Sequence, residues 1–542
     1  MNFKKIIILF LVAIGMMNQA KAHIGSAGVV QEGKAGNYQI QVYIEPPDVI
    51  PGVAKVSVSV DGTDIEEVSL SPIYYWAGDE GSPKEDKALP IAGEPGRFEG
   101  KIWLMESGAA SVKIVINGKR SKGETLIPIA ALATAKRDLP KSLGWILAGL
   151  ALLLVGIMTT IIGASTSDSL LKPGVAGDKK TNRSRVVGST VGLAFCGVLL
   201  FVGNNWWGSI AKEYRERYMF RPYTASSKVT IENEQRMLHF KIDSNSIERR
   251  WTSYVIPDHG KLMHLFLVRQ GSLDAFAHLH PARKDTLTFE APLPDLPAGK
   301  YLVYADILRF HGLQYTIADT VDIPAVNTKS EITEKKTGDS DDTYVVTNPI
   351  NTKVSVTQAA GISICGTPGV KTPLQDGSSI VWDEKPNQTL KAGQVYDLNF
   401  SVMSPDGKPA ELQTYLGMMG HAAILKEDGS VYIHLHPNGT FSATAQQVME
   451  KRVGEKTNPS PRLNNAKRFR DSVDNVLRQL QAMPEAERDK VLMGGMIHQP
   501  NGHHGGSVSF PYVFPSAGNY RIWLQVKRNG KILTGAFDAK VI

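Results

Sequence analysis

Cysteine is almost missing from the 542-residue sequence, which contains only Cys196 and Cys365. So few cysteines exclude a disulfide scaffold and a cysteine-rich zinc protein. No long basic tract is present either, and 60 Lys and Arg against 53 Asp and Glu leave a formal charge of +7. Nucleic acid is therefore not an expected partner. Any metal chemistry has to come from histidine, methionine and carboxylates.

Familiar catalytic motifs are also missing. The sequence contains no G-x-S-x-G, no H-E-x-x-H and no P-loop, and neither cysteine lies beside a histidine. We therefore predict that the protein is not an enzyme. A hydrolytic zinc site with an adjacent general base stays open as an alternative, although no residue singles one out.

Long apolar runs point to export and to a membrane. Residues 1–22 combine Lys4 and Lys5 near the start, an apolar run and an A-x-A ending, which is the pattern of a secretory signal peptide. Residues 143–164 and 186–207 are long enough to cross a bilayer, and the basic loop 165–185 is expected in the cytoplasm. A buried core hairpin is the alternative. We predict a bacterial inner-membrane protein with two spans and with its N-terminal and C-terminal domains in the periplasm.

Most of the remaining chain alternates apolar and polar residues in short runs, separated by glycine and proline, which predicts β-strands. The expected fold is all-β: three immunoglobulin-like sandwiches with a two-helix transmembrane hairpin and a helical insertion in the last sandwich. The sandwiches are predicted at 23–130, 222–325 and 344–542, a mobile polar linker at 326–343, and the insertion at 444–492.

The second and last of these units resemble each other in sequence. One reads MHLFLVRQGSLDAFAHLHP from Met263 to Pro281, and the other reads GHAAILKEDGSVYIHLHP from Gly420 to Pro437. Each then reaches a Gly-x-Tyr strand start, after 18 positions in the second unit and after 81 in the last. The added residues have apolar positions at helical spacing, so we predict a helical hairpin that packs on the last sandwich.

Each repeat has one histidine on a strand and an H-x-H pair on the next strand. Both rings of an H-x-H project from one face, because side chains alternate along a strand. Hairpin geometry predicts that paired residue numbers sum to 544 in the second unit and to 857 in the last, which places the first histidine opposite the third. Three imidazoles on one face suit copper or zinc. The two predicted metal-binding triples are His264, His278 and His280, and His421, His434 and His436.

A fourth ligand is needed to complete either site, and methionine, carboxylate, water or another histidine qualifies. The candidates are Met263, Asp306 and His311 in the second unit, and Met418, Met419 and His498 in the last. Segment 493–506 adds Met496 to His498 and two further histidines, and this mixture of thioethers with imidazoles favours copper. A flexible surface loop is the alternative for that segment.

The remaining histidines are expected to have different roles. If the signal peptide is cleaved after Ala22, the α-amine and imidazole of His23 form a chelate for Cu(II). His239 and His259 stand alone in the sequence, and we expect structural roles for both.

These residues resemble those of known exported families. The first unit resembles YtkA-like and FixH-like β-sandwiches, and its N-terminal histidine is similar to that of CopC-type periplasmic copper carriers. Segments 261–281 and 416–437, with the strands at 298–323 and 517–542, resemble secreted bacterial repeats of the form G-H or M-H, then H-x-H-P, then A-G-x-Y. The resemblance implies handling of heavy metals at the cell envelope.

Together these features predict a membrane-anchored periplasmic protein that binds copper, with zinc less favoured, for buffering, resistance or delivery. Two short helices without an intramembrane charge form no ion pathway, so delivery requires a partner such as a metal transporter or an oxidase-assembly protein. The rival hypothesis is a non-metal extracytoplasmic scaffold or assembly protein of immunoglobulin-like domains, whose histidines serve hydrogen bonds.

Overall fold

The structure is a computed structural model that describes residues 23–542, except for 25–27, 63, 169–170, 173, 233–234, 245–253, 326–337, 351–362, 364, 385–388, 456–462, 464 and 494–504. The predicted signal peptide therefore lies outside the described residues. The described chain is mainly β-strand, arranged in five sheets, with two long apolar helices and three shorter helices. The mainly β character predicted from the sequence is confirmed.

In the first β unit, eight antiparallel strands form one continuous hydrogen-bonded path. Alternate side chains of its strands are buried, as in YQIQVYIE of Tyr38–Glu45, which explains why the sequence pattern predicted strands here. In chain order the strands are β2 (Val29–Ala35), β3 (Tyr38–Glu45), β4 (Gly52–Asp61), β5 (Ile65–Tyr74), β6 (Asp86–Pro90), β7 (Arg97–Leu104), β8 (Gly108–Gly118) and β9 (Lys122–Ala131). Strand β6 pairs with β5 on one side and with β7 on the other, giving the order β2-β3-β4-β7-β6-β5-β8-β9.

Two helices, α1 (Lys141–Ser167) and α2 (Lys179–Arg217), belong to a compact body of their own, formed by Asp48–Ile50 and Leu132–Phe220. Both are long and apolar enough to cross a membrane. They pack through small residues, since a Cβ on Gly163 or Gly188 would collide with a hydroxyl side chain of the other helix. Helix α2 starts well before residue 186, so the connecting loop is shorter than the predicted 165–185.

The second β unit consists of two sheets. Its strands are β10 (Ala225–Glu232), β11 (Gln235–Ile242), β12 (Val255–Ile256), β13 (His264–Arg269), β14 (Ala275–Leu279), β15 (Ala282–Arg283), β16 (Thr288–Pro292), β17 (Gly299–Arg309), β18 (Gln314–Ile323) and β19 (Thr343–Val346). One sheet has the order β10-β11-β16-β15, and the other has β12-β17-β13-β14-β19 with β18 also on β17. A shared core that includes Phe240, Phe289, Leu265 and Val303 joins them. Because β19 pairs with β14, this unit extends past its predicted end at 325.

The last β unit has the same two-sheet plan. Its strands are β20 (Thr372–Pro373), β21 (Ser379–Trp382), β22 (Val395–Met403), β23 (His421–Lys426), β24 (Val431–Leu435), β25 (Ser507–Val513), β26 (Gly518–Arg528) and β27 (Lys531–Val541). One sheet has the order β20-β21-β22-β25 and the other has β24-β23-β26-β27. The two-residue strand β1 (His23–Ile24) pairs in parallel with β24 at the edge of the second of these sheets.

The insertion in the last unit contains three helices: α3 (Ala443–Gly454), α4 (Ala466–Ala482) and α5 (Glu485–Met493). Helices α4 and α5 correspond to the predicted hairpin, whereas α3 was not predicted. The expectation that the hairpin packs on its own sandwich is wrong. Phe469, Val473 and Leu477, one apolar stripe of α4, pack against the core of the second β unit instead.

The two repeats pack against each other through the sheets that carry the histidines. Phe266 and Phe276 on β13 and β14 face Tyr432 and Trp523 on β24 and β26, and all are buried in one apolar cluster. The Phe276 and Trp523 rings stack with centroids 4.7 Å apart. Strands β13 and β23 are therefore buried on both faces, because a core lies on one side and the other repeat on the other.

Candidate metal centre

Both histidine hairpins have the predicted register. Leu265 pairs with Leu279 in the second unit, and Ala422 pairs with Leu435 in the last, so paired residue numbers sum to 544 and 857. The two turns differ in length by one residue, yet each places the first histidine of its strand level with the third histidine of the triple.

Each triple converges as predicted. The ring nitrogens of His264, His278 and His280 lie within 4.8 Å of one another, and so do those of His421, His434 and His436. The closest pairs join Nδ1 of the first histidine to Nε2 of the second, at 3.1 Å in the second unit and 3.2 Å in the last. The spacing is that of nitrogen atoms that share one small cation.

The triples are neither exposed to solvent nor separate from each other. All six rings are at most 7 % exposed. The ring centroid of His434 lies 5.2 Å from that of His264 and 5.5 Å from that of His278. The faces that carry the histidines also carry Phe266 and Tyr432, and burial of these aromatic rings brings the two triples together at the interface between the repeats.

In the second unit, every ring nitrogen that points away from its triple has an oxygen partner. Nε2 of His264 lies 3.2 Å from the Asp258 carbonyl, Nδ1 of His278 lies 2.9 Å from Oε1 of Gln525, and Nδ1 of His280 lies 3.0 Å from Oδ1 of Asp342. These oxygens only accept hydrogen bonds, so the outer nitrogens carry the protons. The inner nitrogens then carry lone pairs, which is the tautomer that a metal ion requires.

The last unit repeats this pattern in part. Nε2 of His421 lies 3.1 Å from the Tyr415 carbonyl, in the same position as Asp258 in the second unit. Nδ1 of His434 lies 3.6 Å from a carboxylate oxygen of Asp306. Gln525 and Asp306 are thus exchanged between repeats, since each contacts a histidine of the repeat to which it does not belong.

A seventh histidine, His259, lies beside the cluster although it stands alone in the sequence, and its expected structural role stays a prediction. Its ring centroid is 4.9 Å from that of His436 and 5.6 Å from that of His421. With Asp258 it forms a further group of ligand atoms around His436. Alignment of PDHGKLMH with TYLGMMGH places Leu416 at the equivalent position, and both residues have positive φ, 49° and 53°. That alignment shows a histidine near the site in one repeat only.

Acidic residues surround the first triple. Asp339 and Asp342 lie within ligand distance of His280, and Lys261 forms ion pairs with Asp339 at 2.5 Å and with Asp341 at 2.8 Å. These aspartates fall in the segment that the sequence predicted to be a mobile linker. In the described residues 338–343 this expectation is wrong, because hydrogen bonds and ion pairs attach the segment to the second unit.

Burial keeps five histidines of the cluster uncharged. Desolvation lowers the pKa values of five of its histidines well below their ordinary value, and their mutual repulsion when protonated lowers most of them further; the five are His264, His278, His421, His434 and His436. Burial also raises the pKa of Asp306 to about 7. Neutral imidazole is the form that binds a metal ion.

Several buried nitrogens of the cluster have no hydrogen-bond partner among the described residues: Nε2 of His259, Nε2 of His280 and both ring nitrogens of His436. Buried polar atoms are nearly always paired, so these orphans need a partner that protein atoms do not supply. A pocket lined by Lys261, Asp341, Arg488 and Lys527 also has His259 in its lining.

The candidates for a fourth ligand lie in different surroundings. Asp306 lies opposite His264 in register but contacts the other triple. Met263 points into the core of the second unit, as expected for the residue before His264, and Met419 packs against the core of the last unit. Met418 is buried in a turn with Tyr415. His311 packs on Phe310, and burial lowers its pKa to about 3.

The other sequence candidates lie elsewhere. Met496 and His498 lie outside the described residues. The backbone of His23 pairs with Val431, three residues before His434. His239 lies 2.7 Å from Thr230 and 2.8 Å from Glu290, so its expected hydrogen-bonding role is confirmed. Cys196 and Cys365 are both free, as expected.

The last β unit matches one family model. The match is to a domain of unknown function, DUF8832, over residues 374–466 and 489–542, which is 147 of 542 residues. The gap between the two matched segments contains most of α4, in agreement with an inserted helix. No curated protein matches the chain.

Solved structures with which the chain shares similarity are distant. They include a tetra-tandem repeat from the extending region of a large adhesion protein, with 9% identity, 91% of this chain and 71% of that chain covered, and a TM-score of 0.14. Latent PorU from Porphyromonas gingivalis has 9% identity, coverage of 95% and 34%, and a TM-score of 0.13. Trypsin-activated alpha-2-macroglobulin from Escherichia coli has 10% identity, coverage of 96% and 24%, and a TM-score of 0.16. The chain spans about a third and a quarter of the latter two. Scores this low carry no argument about function.

Proposed function

We propose that the protein is a membrane-anchored periplasmic metal-binding protein that holds copper between its two histidine repeats. The observation that carries this proposal is the close spacing of the inner ring nitrogens, whose tautomer follows from the oxygen partners of the outer nitrogens. Nδ1 of His264 and Nε2 of His278 are 3.1 Å apart, while the outer nitrogens of both rings face acceptor oxygens. Two lone pairs at that distance repel each other unless a cation lies between them.

A purely structural role accounts less well for the cluster. Burial of polar groups is costly unless they are hydrogen-bonded, and His436 has no partner for either ring nitrogen among the described residues. An interface that needed only packing would be more stable with apolar side chains at these positions. The histidines therefore serve an occupant, and a metal ion satisfies several of them at once.

Copper is the favoured metal because the ligand set consists of imidazoles. Imidazole suits copper, zinc, iron and nickel, and for a given set of nitrogen ligands affinity among divalent ions is highest for Cu(II). Zinc is the less favoured alternative. The centre binds and releases the ion without catalysis in this proposal, for buffering, resistance or delivery.

In this proposal, the metal is bound outside the cytoplasm. Helices α1 and α2 serve as two spans of a bacterial inner membrane, and the three β units are immunoglobulin-like sandwiches exported behind a signal peptide. The first of them is YtkA-like. A metal transporter or an oxidase-assembly protein receives the ion.

A metal-free scaffold is the second candidate, and the aromatic interface favours it. Phe266 stacks on His278 with centroids 4.2 Å apart and planes 15° apart, which shows that these rings also contribute to packing. The scaffold hypothesis predicts that replacement of the histidines changes stability without changing metal content.

The test uses the full chain purified in detergent from its own membrane. We expect copper to copurify, and we expect a His264→Ala variant to bind Cu(II) at least tenfold more weakly. His239→Ala is the matched control, because His239 is hydrogen-bonded outside the cluster. Equal copper binding by the wild type and H264A would contradict the proposal, and absence of tight copper or zinc binding would favour the scaffold.

A further inference from the structure

We infer that the cluster is a single centre for two metal ions, one on each triple, and that Asp258 and His259 complete the site on the last repeat. This inference rests on the proposed function. The two triples have the same register and the same pair of close nitrogens, and the first histidine of each contacts a backbone carbonyl six residues before it. Whatever one triple binds, the other is equally built to bind.

The two halves of the centre are completed differently. Three oxygens hold the outer nitrogens of the first triple, so three inner nitrogens remain for one ion. His436 has no such oxygen, and His259 with Asp258 takes that place at ligand distance. Nε2 of His259 and Oδ1 of Asp258 lie 3.4 Å from each other and have no hydrogen-bond partner among the described residues. The second ion therefore has ligands from both repeats.

The nearby charges balance two divalent ions. Four carboxylates lie within ligand distance of a ring of the cluster: Asp258, Asp306, Asp339 and Asp342. Lys261 also lies close, but Asp341 forms an ion pair with it and offsets its charge. With Lys261 and Asp341 included, five aspartates and one lysine carry a formal charge of −4 when Asp306 is ionised, which matches two divalent cations, whereas a single ion would leave negative charge buried.

The two ions would also be close enough to interact. His434 of one triple contacts both His264 and His278 of the other, with ring centroids 5.2 and 5.5 Å apart. At this contact, a ligand ring of one triple therefore lies directly beside two ligand rings of the other. Two Cu(II) ions bound there are magnetic neighbours, so their electron spins couple.

The experiment is a titration of the metal-free full chain in detergent with Cu(II), followed by metal analysis and electron paramagnetic resonance. We expect two tightly bound ions per chain, an isolated Cu(II) spectrum at one equivalent, and a dipolar-broadened spectrum with a half-field transition at two. The wild type alone gives this result, so it does not depend on the folding of any variant.

Variants then assign the ions. His259→Ala should weaken binding of one ion about tenfold or more and leave the other unchanged, while His239→Ala keeps both. One tightly bound ion, or two ions with uncoupled spectra, would overturn the two-ion centre and leave the proposed function intact. No tight binding by the wild type would overturn both.

Discussion

The second and last repeats are built alike and completed differently. Both place three histidines on a hairpin with the same register, and in both a backbone carbonyl holds the first ring. Where the second repeat has His259, the last has Leu416, and opposite the first histidine the second has Asp306 whereas the last has Gln525. Each of these latter two residues contacts a histidine of the other repeat. In the proposed centre, neither repeat therefore completes its own site.

The largest expected effect is that of acid on the metal-free protein. Five histidines, two from the second repeat and three from the last, stay neutral in the folded protein because burial lowers their pKa values. The unfolded chain binds protons at these residues near pH 6.5, so stability is present above that pH and is lost as the pH falls below it. Each histidine contributes up to about 1.4 kcal/mol per pH unit.

The thermal unfolding midpoint of the chelator-treated full chain should therefore drop steeply between pH 7.5 and 5.5. The raised pKa values of Asp306 and Glu32, both about 7, oppose this trend, but two carboxyls are set against five imidazoles. A variant with both triples replaced by glutamine should show a shallower slope. A flat profile for the wild type would contradict neutral burial of the cluster.

The next effect concerns packing between the repeats. Phe276→Ala removes the ring that stacks on Trp523, and we expect a loss of about 3 to 5 kcal/mol with partial loss of metal binding. Exposed Tyr344→Ala is the matched control, since it removes an aromatic ring that lies outside this buried contact. Calorimetry of both variants measures the difference. If F276A unfolded no earlier than Y344A, the repeats would not depend on each other.

The exchange of Asp306 and Gln525 gives a smaller effect. Asp306→Asn removes the carboxylate that contacts His434, and loss of such a partner should weaken one ion about 10- to 100-fold. Gln525→Glu adds a carboxylate beside His278 and should strengthen the other ion. Competition with a chromophoric chelator measures both affinities. We expect D306N to lower the affinity for one ion and Q525E to raise the affinity for the other. If both variants changed affinity in the same direction, the assignment of one partner to each triple would be contradicted.

The smallest effect lies outside the repeats' shared face. Burial and the neighbouring Asp397 raise the pKa of Glu32 to about 7, so the folded protein holds a proton that the unfolded chain releases. This contribution is present at acid pH and is lost as the pH rises through 7. Glu32→Gln should therefore stabilise the protein by roughly 1 to 3 kcal/mol at pH 8 and have little effect at pH 5. Thermal unfolding at both pH values checks this, and a pH-independent effect would show that Glu32 does not titrate near 7.

Local patterns predicted much of the site. Strand alternation and turn length were enough to place His264 level with His280 and to predict that three rings converge, because both rules depend only on nearby residues. The contact between the repeats was not predictable in this way. Phe266 and Tyr432 belong to faces that a single antiparallel sheet could leave in water, and only their packing against each other buries the histidines. The apolar stripe of α4 likewise predicts a helix but not the unit on which it packs. His259 was missed because a lone histidine in a turn shows nothing of the partner that folding brings to it.

The central claim is that copper binds to the histidines between the repeats. X-ray absorption spectroscopy of the copper-loaded full chain tests this most directly, because it distinguishes imidazole nitrogen from methionine sulfur around the metal. The account predicts a first shell of nitrogen and oxygen with outer-shell scattering from at least three imidazoles per copper and no sulfur. A shell dominated by sulfur, or one without imidazole scattering, would contradict it.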